Sequence, residues 1–248
     1  MELKFILVTG ASSGIGKEIA VQLSKTNNVV LHGRDLDRLD EVKTLCGSKN
    51  QYIVWQQDLN KVDEIETSLT SFILYHKVVI DKIVHCAGYM KMAPLKISSL
   101  EVLSKTFNIN VISASLLCKV LTQKKANNAS LSNIVFISSN ISNMGAKGMS
   151  AYGASKGAID TLMRCLAVEL APKIRVNSVL PGAVLTEMTQ NIFENVEVKN
   201  RMEATYPLGI GEPNDIFQMV NFLLSNHSKW ITGQQFTVDG GRSINISG

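Results

Sequence analysis

Short, solidly apolar runs alternate with longer stretches of helical period along this 248-residue chain, and nothing else in the sequence limits its fold as much. Segments 4–9, 29–32, 52–56, 80–85, 134–138, 174–180 and 236–238 read as strands. Between them, 15–25, 36–45, 62–76, 100–125 and 151–171 read as helices. A strand that is apolar at consecutive positions, such as Phe5-Ile6-Leu7-Val8, needs cover on both faces. Parallel strands joined by right-handed helical crossovers supply that cover. The expected architecture is α/β, a doubly wound parallel sheet of about seven strands with helices on both faces.

With five prolines and no Ser- or Gly-rich spacer, the chain offers no linker, and 1–248 reads as one domain. One region breaks the alternation. Segment 186–207 is polar, carries Asn191, Asn195 and Asn200, and reads either as a surface excursion or as a lid over a pocket. The 45% apolar and 19% charged content belongs to a globular protein. The net charge of +4 is scattered rather than massed, so neither nucleic acid nor a membrane surface is an expected partner. No apolar stretch approaches a membrane span, and Met1-Glu2-Leu3-Lys4 leads into no signal sequence. Cys46, Cys86, Cys118 and Cys165 form no C-x-x-C pair, so no metal site or disulfide framework is expected, and the protein reads as cytoplasmic.

The first strand ends in Thr9-Gly10-Ala11-Ser12-Ser13-Gly14-Ile15-Gly16, and a helix follows at once. Glycines there allow a tight turn and let backbone N–H groups approach a pyrophosphate, to which the helix N-terminus adds partial positive charge. The alternative is a structural turn that holds no ligand. A dinucleotide bound at this turn presents its adenosine ribose to the end of the second strand, where an acid binds a free 2′-OH and an arginine accommodates a 2′-phosphate. The sequence there is His32-Gly33-Arg34, which predicts NADP(H) over NAD(H). Alternatively, Arg34 is a solvated loop residue and Asp35 takes the ribose. Asp58, after the third strand, is a candidate for the adenine amino group or for an N-cap.

In Tyr152-Gly153-Ala154-Ser155-Lys156 the tyrosine and lysine are four apart and share one helical face. A tyrosine serving as general acid/base near neutrality needs its pKa lowered from about 10 by roughly three. A neighbouring ammonium supplies part of that. Ser139 follows the strand 134–138 and places a hydroxyl where a substrate oxygen can be held. The C-terminal ends of the strands of an open α/β sheet are where ligands sit.

These motifs resemble the short-chain dehydrogenases/reductases in their compact, Rossmann-like, single-domain form, and the resemblance spans essentially the whole chain. Gly10, Gly14 and Gly16 match the cofactor turn, Asn110 in Phe107-Asn108-Ile109-Asn110-Val111 the helix asparagine, and Ser139, Tyr152 and Lys156 the rest of the catalytic tetrad. Cys86-Ala87-Gly88 stands where the family usually has Asn-Ala-Gly. Arg175-Val176-Asn177, Pro181-Gly182-x-Val184-x-Thr186, Ile231-Thr232-Gly233-Gln234 and Val238-Asp239-Gly240-Gly241 match the later motifs.

The resemblance implies that Tyr152 donates a proton to a carbonyl oxygen as hydride arrives from NADPH, and that Lys156 lowers the tyrosine pKa and binds the nicotinamide ribose. It implies that Ser139 positions the oxygen and Asn110 holds a water in a proton relay. The implied cofactor contacts are Gly10, Ser12, Ser13, Gly14, Ile15, Gly16, Arg34, Asp58, Leu59, Cys86, Ala87, Gly88, Tyr152, Lys156, Pro181, Gly182, Val184 and Thr186. Two departures stand out. His85-Cys86 replaces Asn-Asn, and Ser13 stands where a basic residue often accompanies NADP use.

Within the family the pattern is most similar to 3-oxoacyl-acyl-carrier-protein reductases and their relatives, so an acyl thioester or a small ketone is the implied substrate. An enoyl reductase of the related type would be expected to have a longer Tyr-to-Lys spacing. Substrate contacts are expected from Asn140, Met144, Met149, Ala183 and Met188, with Met90, Lys91 and Met92 at the rim. Lys124, Lys125 and Lys173 are either solvated helix ends or a docking patch for an acidic carrier protein. The family implies a homotetramer, or a dimer, paired through the helices 100–125 and 151–171. The rival function is a cofactor-sensing regulator with the same fold and little turnover; a structural or nucleic-acid-binding role is a third.

Overall fold

The computed structural model describes residues 3–194 and 196–246. Seven parallel strands, β1 (Lys4–Thr9), β2 (Asn28–Gly33), β3 (Tyr52–Gln56), β4 (Val79–His85), β5 (Asn133–Ile137), β6 (Arg175–Pro181) and β7 (Gln235–Val238), lie in the order β3-β2-β1-β4-β5-β6-β7. The helices are α1 (Gly14–Ser24), α2 (Leu36–Leu45), α3 (Val62–His76), α4 (Leu100–Phe107), α5 (Ser113–Thr122), α6 (Lys124–Asn127), α7 (Ser150–Glu169), α8 (Glu187–Phe193), α9 (Val196–Thr205) and α10 (Pro213–Leu224).

The solid apolar strands are explained by two cores, one on each face of the sheet. On β1, Phe5 and Leu7 join Ile80, Ile83, Leu117 and Phe136 on one side. Ile6 and Val8 join Ile19, Leu31, Val84 and Leu223 on the other. Each such side chain stabilises the fold by about 1.5–3 kcal/mol on burial. The winding reverses between β1 and β4, which opens a crevice at their carboxyl ends.

One expectation changes. The helix anticipated over 100–125 is not continuous. Residues Asn108–Ile112 form a π-turn in which the Ser113 N–H donates to the Asn108 carbonyl, and the chain then becomes extended at Gln123 before α6. Side chains account for both interruptions. Ser113 Oγ donates to the Ile109 carbonyl at 2.6 Å, and Asn127 brackets the start of β4, bonding the Ile80 N–H and carbonyl at 2.7 Å each. Segment 186–207, read as a surface excursion or a lid, folds into α8 and α9, started by the Thr186–Thr189 capping box. Asn195 lies outside the described residues. Among the described residues no helix is long and apolar enough to cross a membrane, and no group of His, Cys, Asp and Glu could hold a metal ion.

Candidate active site

The turn after β1 forces three segments together. Gly10 has φ +66°, and a Cβ there would stand 2.9 Å from the Ala87 backbone. A Cβ on Gly16 would come within 2.2 Å of the Gly10 carbonyl oxygen. Thr9 fastens the neighbouring end of β4. Its hydroxyl accepts from the Cys86 and Ala87 N–H groups, both at 3.1 Å, which leaves its own proton for His85 Nδ1 at 3.0 Å. Ser13, the N-cap of α1, makes no side-chain capping bond, so the first N–H groups of the helix face the cleft without a protein acceptor from that residue. A cradle of glycines and serine hydroxyls at a helix N-terminus fits a pyrophosphate.

At the far end of the cleft, Arg34 lines the wall beyond β2, and so does Arg38. Asp35 caps α2, its carboxylate accepting from the Arg38 N–H at 3.2 Å. Asp58 accepts from the Asn60 N–H at 2.9 Å and lines the cleft, while Lys61 takes the N-cap position of α3, so the capping alternative for Asp58 is not realised. Arg38 escaped the sequence reading. The available signal was its place one helical turn after Arg34. Its guanidinium pairs with Glu187 at the start of α8, across the cleft from α2.

The reacting end is built by β4, β5 and α7. Lys156 is 5% exposed, and its ammonium donates to the Ile137 carbonyl at 2.8 Å and stands 5.6 Å from the centre of the Tyr152 ring. Burial lowers its pKa to about 8, against opposing influences from Asp160 and Cys86. Tyr152 departs from expectation. Burial pushes its phenol up to about 12, and a hydrogen bond with Ser139 pulls it partly back. Ser139 Oγ also accepts from the Ile141 N–H at 3.3 Å, which orients it at the end of β5.

Asn110 stands behind the cleft wall rather than in it. Its Oδ1 accepts from the Tyr89 N–H at 2.7 Å, and its Nδ2 donates to the Tyr89 carbonyl at 3.1 Å and to Ser155 Oγ at 2.9 Å. The side chain is therefore held by protein partners on both sides. Cys86 is an uncharged thiol, its pKa raised by burial, and contributes through its backbone.

All the cofactor residues anticipated from sequence line this one cleft. Of the substrate residues, Met149, Ala183, Met188 and Asn140 line it, although Asn140 is tied to Asp239 Oδ2 at 3.3 Å. Met144 lies on the bend beyond and does not line it, because the short 3-10 turn at Asn140–Ser142 carries the chain away. Met90 lines the cleft; Lys91 and Met92 do not. Tyr89, Ile141, Met202 and Tyr206 complete the wall. Tyr206 reaches back from the end of α9 so that its hydroxyl accepts from the Ala183 N–H at 3.0 Å, a long-range contact with no sequence signature. Lys124 and Lys125 sit on α6, which packs at the start of β4, and Lys173 precedes β6. All three are at the amino edge of the sheet, opposite the cleft.

A family model described as enoyl-(acyl carrier protein) reductase matches residues 10–243. The chain is 31% identical over 255 residues to a cyclopentanol dehydrogenase of Comamonas testosteroni, covering 98% of each chain. It is 30% identical over 238 residues to carbonyl reductase (NADPH) 2 of Sus scrofa, covering 95% of this chain and 94% of that one. The solved structure of a short-chain type dehydrogenase/reductase from Mycobacterium ulcerans matches with a TM-score of 0.89 at 29% identity, over 99% of this chain and 92% of that one.

Proposed function

The chain belongs to the short-chain dehydrogenases/reductases, oxidoreductases that use a nicotinamide cofactor on alcohol and carbonyl groups, and within that family we propose that it is an NADPH-dependent reductase of small, uncharged ketones. The observation that carries this reading is the meeting of Tyr152, Ser139 and Lys156 in the cleft that the glycine turn opens. Bound NADPH supplies the hydride. Tyr152 is held protonated by burial and gives that proton to the developing alkoxide. Ser139 fixes the substrate oxygen. Lys156 presents its ammonium beside Gly88 and would hold the ribose hydroxyls. Asn110 acts through Tyr89, pinning the backbone beside the substrate end.

Two arginines support the NADP(H) assignment. Arg34 and Arg38 both border the adenosine end, where Asp35 is occupied in capping α2 and Arg38 also pairs with Glu187. The substrate end is walled by Met90, Ile141, Met149, Met188 and Met202, adaptable apolar groups that suit a neutral ketone better than an anion. The four-residue Tyr–Lys spacing favours carbonyl over enoyl reduction. Helices α8 and α9 act as the lid, since Thr186, Met188, Met202 and Tyr206 come from that segment or its end. A cytosolic homotetramer or dimer accompanies this reading, supported by the exposed apolar side chains Leu100, Ile112 and Val168 on the pairing helices.

The test is NADPH and NADH oxidation against cyclic ketones, sugars, quinones and acyl thioesters. Turnover of cyclic ketones with NADPH is expected. Tight NADPH binding with no turnover on any of them would favour the sensor. Sedimentation as a monomer at micromolar concentration would contradict the oligomer.

A further inference from the structure

Asp160 is a buried carboxylate on the catalytic helix that the reaction just described leaves unused. It lies one turn beyond Lys156, as Lys156 lies one turn beyond Tyr152, so the three follow one stripe of α7. It is 1% exposed. Its Oδ2 accepts from Ser138 Oγ at 2.9 Å, and the same hydroxyl stands 3.3 Å from the Lys156 carbonyl. Its Oδ1 is buried without a hydrogen-bond partner. A carboxylate oxygen taken out of water and given no donor is costly to keep, and the nearby buried positions of α7 are filled by Ile159, Met163 and Ala167. A purely structural partner for Ser138 would need neither the charge nor the second oxygen.

We infer that Asp160 is a positioning residue for the reaction: its negative charge holds Lys156 in the ammonium form inside the wall of the cleft, where the lysine must be charged to act on the ribose and on Tyr152. The other groups around Lys156 leave this task to it. Tyr152, on the same helix, is a neutral phenol. Cys86 and His85 face Lys156 from the end of β4. The thiol is kept uncharged by burial, and the imidazole is driven down to about 3 by burial and by Lys156 itself. Burial also drives Lys156 downward, to about 8, and Asp160 is the largest influence in the opposite direction. A buried lysine loses its charge readily, so an anion held nearby decides its state at neutral pH.

The consequence for catalysis rests on the reductase reading; the charge pairing does not. The experiment follows the 13Cε resonance of Lys156 against pH in the full chain labelled with 13C-lysine, assigned with Lys156→Arg. Asp160→Asn keeps an acceptor for Ser138 and removes the charge. Ser138→Ala disturbs the same network and keeps the charge. The Lys156 midpoint is expected to fall by about one pH unit or more in Asp160→Asn and to stay near the wild-type value in Ser138→Ala. The alkaline limb of kcat for NADPH-dependent ketone reduction is expected to move down with it. An unmoved midpoint in Asp160→Asn overturns the inference, and so does an equal shift in Ser138→Ala. A moved midpoint with an unmoved alkaline limb overturns the catalytic role. If no ketone is turned over by the wild type, the reductase reading fails, while the resonance still decides the pairing.

Discussion

The ammonium of Lys156 donates to the carbonyl of Ile137 at 2.8 Å and not to the phenol of Tyr152, whose ring centre lies 5.6 Å away. Burial poises the two groups in opposite directions, the phenol at about 12 and the ammonium at about 8. At neutral pH both carry the proton that carbonyl reduction needs. As pH rises through about 8 the lysine loses its charge first, so the reduction rate should decline above that point while Tyr152 is still protonated. A kcat profile between pH 6 and 10 checks this. A rate that climbs steadily to pH 10 would contradict it.

Arg34 and Arg38 make a separable prediction about cofactor choice. Arg34→Ala and Arg38→Ala should each weaken NADPH by about tenfold or more, the scale of a charged hydrogen bond, and leave NADH within a few-fold. Tryptophan or cofactor fluorescence titration reads both constants. Equal losses for the two cofactors would show that the arginines do not meet a 2′-phosphate.

Two histidines should make the fold sensitive to acid. Burial lowers His32 to about 4 and His85 to about 3, below the ordinary value of 6.5. Their Nε2 atoms are buried without partners. The unfolded chain therefore binds protons that the native state refuses once the pH drops below 6.5, and stability falls from there towards 4. Each histidine contributes up to about 1.4 kcal/mol per pH unit. Urea unfolding at pH 7 and pH 5 measures the slope, and His85→Asn should make it shallower.

Asn110→Ala should separate positioning from binding. It releases both the N–H and the carbonyl of Tyr89, so kcat should fall by about 10- to 100-fold while NADPH affinity holds within a few-fold. Stopped-flow turnover alongside cofactor titration tests the split. A matching loss of affinity would move Asn110 into cofactor binding.

The sheet was legible because Phe5 to Val8 and the other apolar strands have to be covered on both sides, and the glycine turn because Gly10 and Gly16 tolerate no side chain. What the chain hides depends on partners distant in sequence. Within the break in the helix after Phe107, Asn110 bonds to Tyr89 and Ser155, and no local periodicity announces those contacts. Tyr206 enters the cleft by meeting Ala183, and Arg38 by facing it from the first turn of α2. The direction of the Tyr152 shift was also hidden, because spacing puts Lys156 on the right face but says nothing of how far the phenol is buried.

The most direct test of the account is NADPH oxidation by Tyr152→Phe with a cyclic ketone that the wild type reduces, alongside NADPH binding and thermal unfolding of both proteins. The account predicts a loss of turnover of about a hundredfold or more, with NADPH affinity within a few-fold and Tm little changed. Turnover within a few-fold of the wild type would contradict it, since the proton would then come from a group other than Tyr152.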